Sequence, residues 1–402
     1  MSGAAQRREP MPWGVVIASA ALLAITTGSR QSLGFFMRPL ALTGLGIATI
    51  SFVLGIGQLL WGAAQPAFGA LAGRIGSYRV IVMGGLLLAV GFGLAPLLPG
   101  FSGLMLSIGV LSAVGGGAAS FAILIGAVSL RVPPARQPMA AAIVNAGASL
   151  GQLIFAPVTQ AIIVAAGWAT AMWSLAGASL LTVLLARPAT RPAANEVVSH
   201  RAPAAEPAGS ALGSRDYWFL HLGFFTCGFH IAFLVTHLPG EVALCGLAPS
   251  AAANAVAIIG LTNVLGTVAI GWLAGRLQLR ALLVGVYGAR VVAIGVYLLA
   301  PKTLTTLYTF STVLGLTWLA TVPLTSGLVG KLFGARRVPT LFGFTVLSHQ
   351  IGAFVGVWAG GLALAATGSY HWIWALDMAL AACAALFTLP IRERTLPWPA
   401  PA

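Results

Sequence analysis

The sequence predicts an all-α membrane protein: twelve transmembrane helices in two pseudo-symmetric six-helix bundles. Three observations lead there. The 402 residues are 58% hydrophobic and 7% charged, with a mean hydropathy of +0.95, whereas soluble domains are about 25% charged. Seven acids cannot cover the surface of a globular chain this long. Twelve segments reach the roughly 20 apolar residues that cross a bilayer core, and the two halves repeat at a separation of about 200 residues.

Residues 1–11 form a tail with two arginines and no cleavable signal pattern. The first bundle, 12–186, opens with span 12–37, whose apolar run Trp13 to Ile25 continues into "TTGSRQSLGFFMRPL" and carries Arg30. Spans 47–72 and 80–98 flank the loop "GALAGRIGSYR". Span 103–130 holds "VGGGAAS", whose glycines permit close helix contact. Spans 138–166, with Asn145 and Gln152 on one face, and 169–186 complete the bundle. Residues 187–215, rich in Ala, Pro and Ser, read as a flexible linker.

The second bundle, 216–390, begins with span 216–240, where His230 and His237 stand two helical turns apart. Span 250–274 contains Asn263, span 281–300 Arg290, and span 304–330 "GLTWLATVPLTSG" with Trp318. Span 339–366 carries "LSHQIGAF", hence His349 and Gln350, followed by "WAGGLALAATG". Span 372–390 holds Asp377, and residues 391–402 form a second tail.

With both termini cytoplasmic, seventeen of the 21 Lys and Arg fall on cytoplasmic segments, the positive-inside pattern. The charge of +14 is mainly this topological signal, so no nucleic-acid partner is implied. The expected partners are a lipid bilayer, a small-molecule substrate and a proton, and the expected setting is a cell membrane, the bacterial inner membrane, with the chain acting as a monomer. Cys227, Cys245 and Cys383 have neither metal nor disulfide spacing. No cofactor or metal is expected, and no nucleotide-binding GxxxxGK[ST] occurs.

The repeat is explicit. "GALAGRIGSYR" from Gly69 is echoed by "GWLAGRLQLR" from Gly271, and "GSRQSLGFFMRPL" from Gly28 by "GFHIAFLVTHLP" from Gly228, so Arg30 matches His230 and Pro39 matches Pro239. Two six-helix repeats joined by a linker suggest a transporter with its site at the repeat interface. The loop after span 2, with its partial copy, resembles the signature loop of the major facilitator superfamily. By that resemblance Gly69, Arg74, Gly76 and Arg79, with Gly271 and Arg276, form a gating loop, although Gly73 and Gly275 stand where the family has Asp. Within the superfamily the chain resembles the monocarboxylate porter branch through "WGVVIASA" and Arg30; the charged pair of that branch's span 8 is replaced by Asn263 and Thr267. The resemblance implies an organic-anion transporter, not an enzyme.

An ionisable group inside a span costs several kcal/mol unless it meets a cavity or a partner. Arg30, with a planar donor fork suited to a carboxylate, is the leading substrate contact. His230, His237, Asn263, Trp318, His349, Gln350, Gln152 and Asn145 are further substrate-binding candidates, with His230 and His349 as proton carriers because histidine titrates near neutrality. Arg290 and Asp377 are expected to form a structural ion pair between spans 9 and 12. Export of an amphiphilic or toxic compound on the same fold is the alternative function. A membrane-embedded hydrolase would want paired acids at depth, and Asp377 is the sole acid well inside a span.

Overall fold

A computed structural model describes residues 11–133, 136–190, 209–334 and 337–393. The linker and tail readings therefore fall largely outside the described residues. Helices long and apolar enough to cross a bilayer include Trp13–Ala41, Ile47–Ile75, Ser77–Leu94, Gly100–Ser129 and Met139–Ala189 in the first half. The second half supplies Arg215–Leu244, Pro249–Ala274, Leu279–Leu299, Leu304–Phe333, Val338–Thr367 and His371–Thr388. Met139–Ala189 contains two spans, because Gly167 at φ 83° breaks the helix between them. Gly368 at φ 69° ends span 11 at the matching junction of the second half. Only glycine adopts positive φ without steric cost, so each marks a reversal of direction. Twelve spans in two six-helix halves result.

Small residues set how closely the helices approach. Gly147 and Gly151 of span 5 lie directly on the backbone of Ala20 and Ala24 in span 1. In the second half, Gly352 and Gly356 of span 11 lie on the backbone of Phe225 and Phe229 in span 7. The glycine clusters act likewise: Gly115 of span 4 packs on span 3 at Leu88, Gly117 packs on span 2 at Ala64, and Gly361 of span 11 packs on Ser51.

Spans 4 and 10 are interrupted. In span 4 the helix stops at Ala118, Ala119 leaves helical geometry (φ −113°, ψ 39°) and helix resumes at Phe121. In span 10 it runs Leu304–Thr317 and restarts at Thr321. Broken helices are tolerated at membrane depth where protein groups or a cavity satisfy the freed backbone, and both breaks border the central cavity. Away from the side that carries Arg74, Arg79 and Arg276, the halves close on each other. There Phe52 meets Phe354 and Trp358 edge-on, at 6.0 and 5.7 Å between ring centroids, and Gly34 packs on the backbone of Val235 and Thr236.

Candidate functional site: a cavity between the halves with one arginine

A cavity of about 330 Å³ lies between the two halves. Spans 1, 2, 4, 5, 7, 10 and 11 line it. Its walls are largely apolar, with Leu23, Leu54, Trp61, Phe121, Phe224 and Trp318 among them, and among the described residues no Asp or Glu lines it.

Arg30 enters from the end of the first helix, Trp13–Gln31. Its Nη2 donates to Gln58 Oε1 at 2.8 Å, and its guanidinium carbon stands 4.2 Å from the centroid of the Trp61 ring. Gly116 completes the seat: a Cβ there would approach Arg30 Cδ to 2.8 Å, so only glycine leaves the side chain room to lie along span 4. One hydrogen bond and one ring face hold the fork while it borders the cavity. Because no acid lines the wall, the positive charge is available to an anionic solute.

The structure brings together Arg30, Asn145, Trp318, His349 and Gln350 on the cavity wall. The other four substrate candidates lie elsewhere. His237 is 1% exposed and bonds Tyr370 Oη (3.1 Å) and the Val357 carbonyl (2.8 Å), tying span 7 to spans 11 and 12. Asn263 Nδ2 donates to Ser149 Oγ at 2.8 Å, and its Oδ1 accepts from the Leu319 N–H at 3.2 Å inside the span 10 break. Gln152 is buried where Gly260 of span 8 packs on span 5. His230 faces span 12, with Nδ1 2.6 Å from Asp377 Oδ2.

That contact corrects the expected ion pair. Arg290 and Asp377 do not meet within salt-bridge distance: Asp377 takes His230, and Arg290 Nη2 donates to the Thr317 and Trp318 carbonyls at 2.7 and 2.9 Å. Breaking span 10 frees those carbonyls, and an arginine is a favourable partner for the C-terminal end of a helix. The loop residues Arg74, Gly76 and Arg79 are exposed at the junction of spans 2 and 3, Gly69 and Gly271 have open space beside them, and Arg276 stacks on Trp272 at 3.7 Å.

Gln58, Trp61 and Gln65 all line the cavity but escaped the sequence reading. Their spacing of three and four residues puts a polar and aromatic stripe on one face of an otherwise apolar span, the signal that marks them.

Two pseudo-equivalent helix bundles around a central cavity, with interrupted helices at its wall, are the architecture of a membrane transporter. Residues 16–356 match the Major Facilitator Superfamily, and the chain belongs to that family. It is a multi-pass membrane transporter, not an enzyme. It is 26% identical over 393 residues to Monocarboxylate transporter 13 of Rattus norvegicus, covering 94% of this chain and 89% of the relative. It is 24% identical over 402 residues to an uncharacterized MFS-type transporter, YcxA, of Bacillus subtilis, covering 94% and 95%. Among solved structures, a bacterial homolog to the human lysosomal transporter Spinster, in an inward-facing and occupied conformation, superposes with a TM-score of 0.77 at 15% identity over 95% and 97% of the two chains.

Proposed function

We propose that this transporter carries a small organic anion, a monocarboxylate with an apolar body, together with a proton. The two halves rock so that the cavity opens to each side of the membrane in turn. One observation carries the reading: Arg30, on the cavity wall with no acid lining it, presents a fixed donor fork to whatever enters. A carboxylate accepts two parallel N–H bonds from such a fork, and the apolar wall accommodates the rest of the molecule. The names of the relatives from Rattus norvegicus and Bos taurus support a monocarboxylate. The positive-inside count supports cytoplasmic termini, and the bacterial relatives support a bacterial inner membrane. The Gly69–Arg79 loop and its Gly271–Arg276 copy would govern opening on the basic side. A single chain encloses the cavity, which supports a monomeric unit.

The test is uptake of labelled pyruvate and phenylpyruvate into proteoliposomes, with and without an imposed pH gradient. The wild-type protein is expected to accumulate at least one of them, and Arg30→Ala to raise KM by tenfold or more. That follows from losing hydrogen bonds to a charged group, worth about 1.5–3 kcal/mol each. Normal transport by Arg30→Ala refutes the anion clamp. The aromatic wall (Trp61, Phe121, Trp318) also suits export of an amphiphilic compound. Carboxylate-independent transport combined with drug hypersensitivity on deletion would favour that second reading.

A further inference from the structure

Behind the cavity, spans 7, 9, 10 and 12 enclose charged groups that the anion site does not use. His230 and Asp377 are 1% and 0% exposed and 2.6 Å apart. A purely structural pair would be expected to have its remaining polar atoms satisfied, since buried polar groups nearly always are. Here His230 Nε2, Asp377 Oδ1, and Arg290 Nε and Nη1 have no hydrogen-bond partner among the described residues. The pair thus retains free lone-pair capacity on an acid and an imidazole that share one short contact.

The other titratable or charged groups around it are few. From its own helix comes Cys227, one turn before His230, with Sγ 3.0 Å from Thr321 Oγ1. Span 9 contributes Arg290 and Tyr287, whose ring centroid is 5.9 Å from the guanidinium carbon. Span 11 contributes His349, which faces Phe224 and the cavity. Two turns further along span 7, His237 is occupied by Tyr370 and Val357, and Glu241, a turn beyond that, by Tyr297. Among the described residues, Asp377 is therefore the one acid at this level.

Trp318 joins this group to the substrate site. Its ring centroid is 6.2 Å from that of His230, its carbonyl accepts from Arg290, and the residue borders the cavity. We propose that the His230–Asp377 pair is the proton-binding site of the transport cycle, set apart from the anion cavity and linked to it through Trp318 at the break in span 10. The pair binds one proton when exposed to one side and releases it on the other. One anion at Arg30 plus one proton at the pair moves no net charge. This inference rests on the anion reading above for its substrate, and on the buried pair alone for its proton.

The test uses the full-length protein in proteoliposomes, with pyruvate and phenylpyruvate as probes. One-to-one coupling accumulates substrate by about tenfold for each pH unit imposed, because one unit is 1.36 kcal/mol. Asp377→Asn and His230→Gln are expected to lose that accumulation, while exchange of labelled for unlabelled substrate falls less than threefold. Retained pH-driven accumulation in both variants overturns the proton site and leaves the anion reading standing. Should the wild-type protein carry neither probe, the anion reading falls, and infrared difference spectra between pH 5 and pH 9 decide the proton site separately. A protonated-carboxyl band that titrates in wild-type protein and is missing from Asp377→Asn supports the site; its absence from wild-type protein overturns it.

Discussion

Replacing Gly116 with alanine tests the seat of Arg30 without touching its charge. The added Cβ would stand 2.8 Å from Arg30 Cδ and 3.5 Å from Trp61 Cδ1. The first distance is about 0.6 Å short of ordinary contact at 3.4 Å. The methyl meets a flexible side chain, so the helix has no need to move. The guanidinium must shift instead, and it sits between Gln58 and Trp61 with little slack. Giving up the Gln58 bond costs about 1.5–3 kcal/mol for a charged group, and leaving the Trp61 face costs about 0.5–2 kcal/mol. Either loss misaligns the fork, and KM for whichever carboxylate probe is taken up is expected to rise about tenfold, one such increment being about 1.4 kcal/mol. Melting temperature in detergent should fall only slightly, because alanine, the better helix former by about 1 kcal/mol, offsets part of the lost contact. Gly151→Ala is the control: its Cβ collides with the backbone of Ala24, which forces spans 1 and 5 apart and lowers stability by about 1–3 kcal/mol. Unchanged KM in Gly116→Ala would refute the reasoning.

Asn263→Leu removes the bonds to Ser149 and to the Leu319 N–H. It should destabilise the protein by about 1–3 kcal/mol through the unsatisfied backbone donor, leaving substrate KM within twofold in proteoliposome uptake; a large KM change would return Asn263 to the substrate site. Glu393 accepts from Lys331 and from the backbone N–H groups of Arg280 and Leu279 at the start of span 9. Burial opposes its ionisation, but these hydrogen bonds outweigh burial and hold the carboxyl below its ordinary value. Its stabilisation is therefore full above the unfolded value of about 4.3 and is lost as pH falls through the lower folded value. Thermal melts of Glu393→Gln should show a deficit at pH 7 that shrinks as pH falls below the unfolded value and vanishes once it has passed the lowered folded value. A deficit that persists in acid would show that charge is not the cause.

The fold was legible because a bilayer imposes length and hydropathy on each span, and those are properties of the sequence. The repeat was legible for the same reason, down to the alignment of Arg30 with His230. The direction in which each side chain points was harder to read. A span apolar all round has no polar stripe to betray its inward face, so Asn263, Gln152 and His237 read as cavity residues although helix neighbours hold them. Where a stripe did exist, at Gln58, Trp61 and Gln65, it pointed to the cavity. Pairing Arg290 with Asp377 considered side-chain charges alone. The partner Arg290 takes is a pair of backbone carbonyls, exposed by a break in span 10 that hydropathy does not register.

The matched positions Arg30 and His230 each lie against the interrupted helix of their own half. Arg30 rests on Gly116 of span 4 and borders the cavity, whereas His230 rests behind Trp318 of span 10 and does not. The residue on the broken helix differs between the halves: glycine leaves room for the arginine, and an indole stands 6.2 Å from the imidazole. Trp318→Ala should then make His230 behave like a cavity residue. Diethyl pyrocarbonate acylates accessible neutral imidazole, and peptide mass spectrometry resolves each site. In wild-type protein His349, on the cavity wall, is expected to react while His230, 1% exposed, stays protected. In Trp318→Ala, His230 should gain at least tenfold in modification rate and His349 should change little. Equal reactivity of the two histidines in wild-type protein, or continued protection of His230 once the indole is gone, would mean that Trp318 is not the partition between His230 and the cavity.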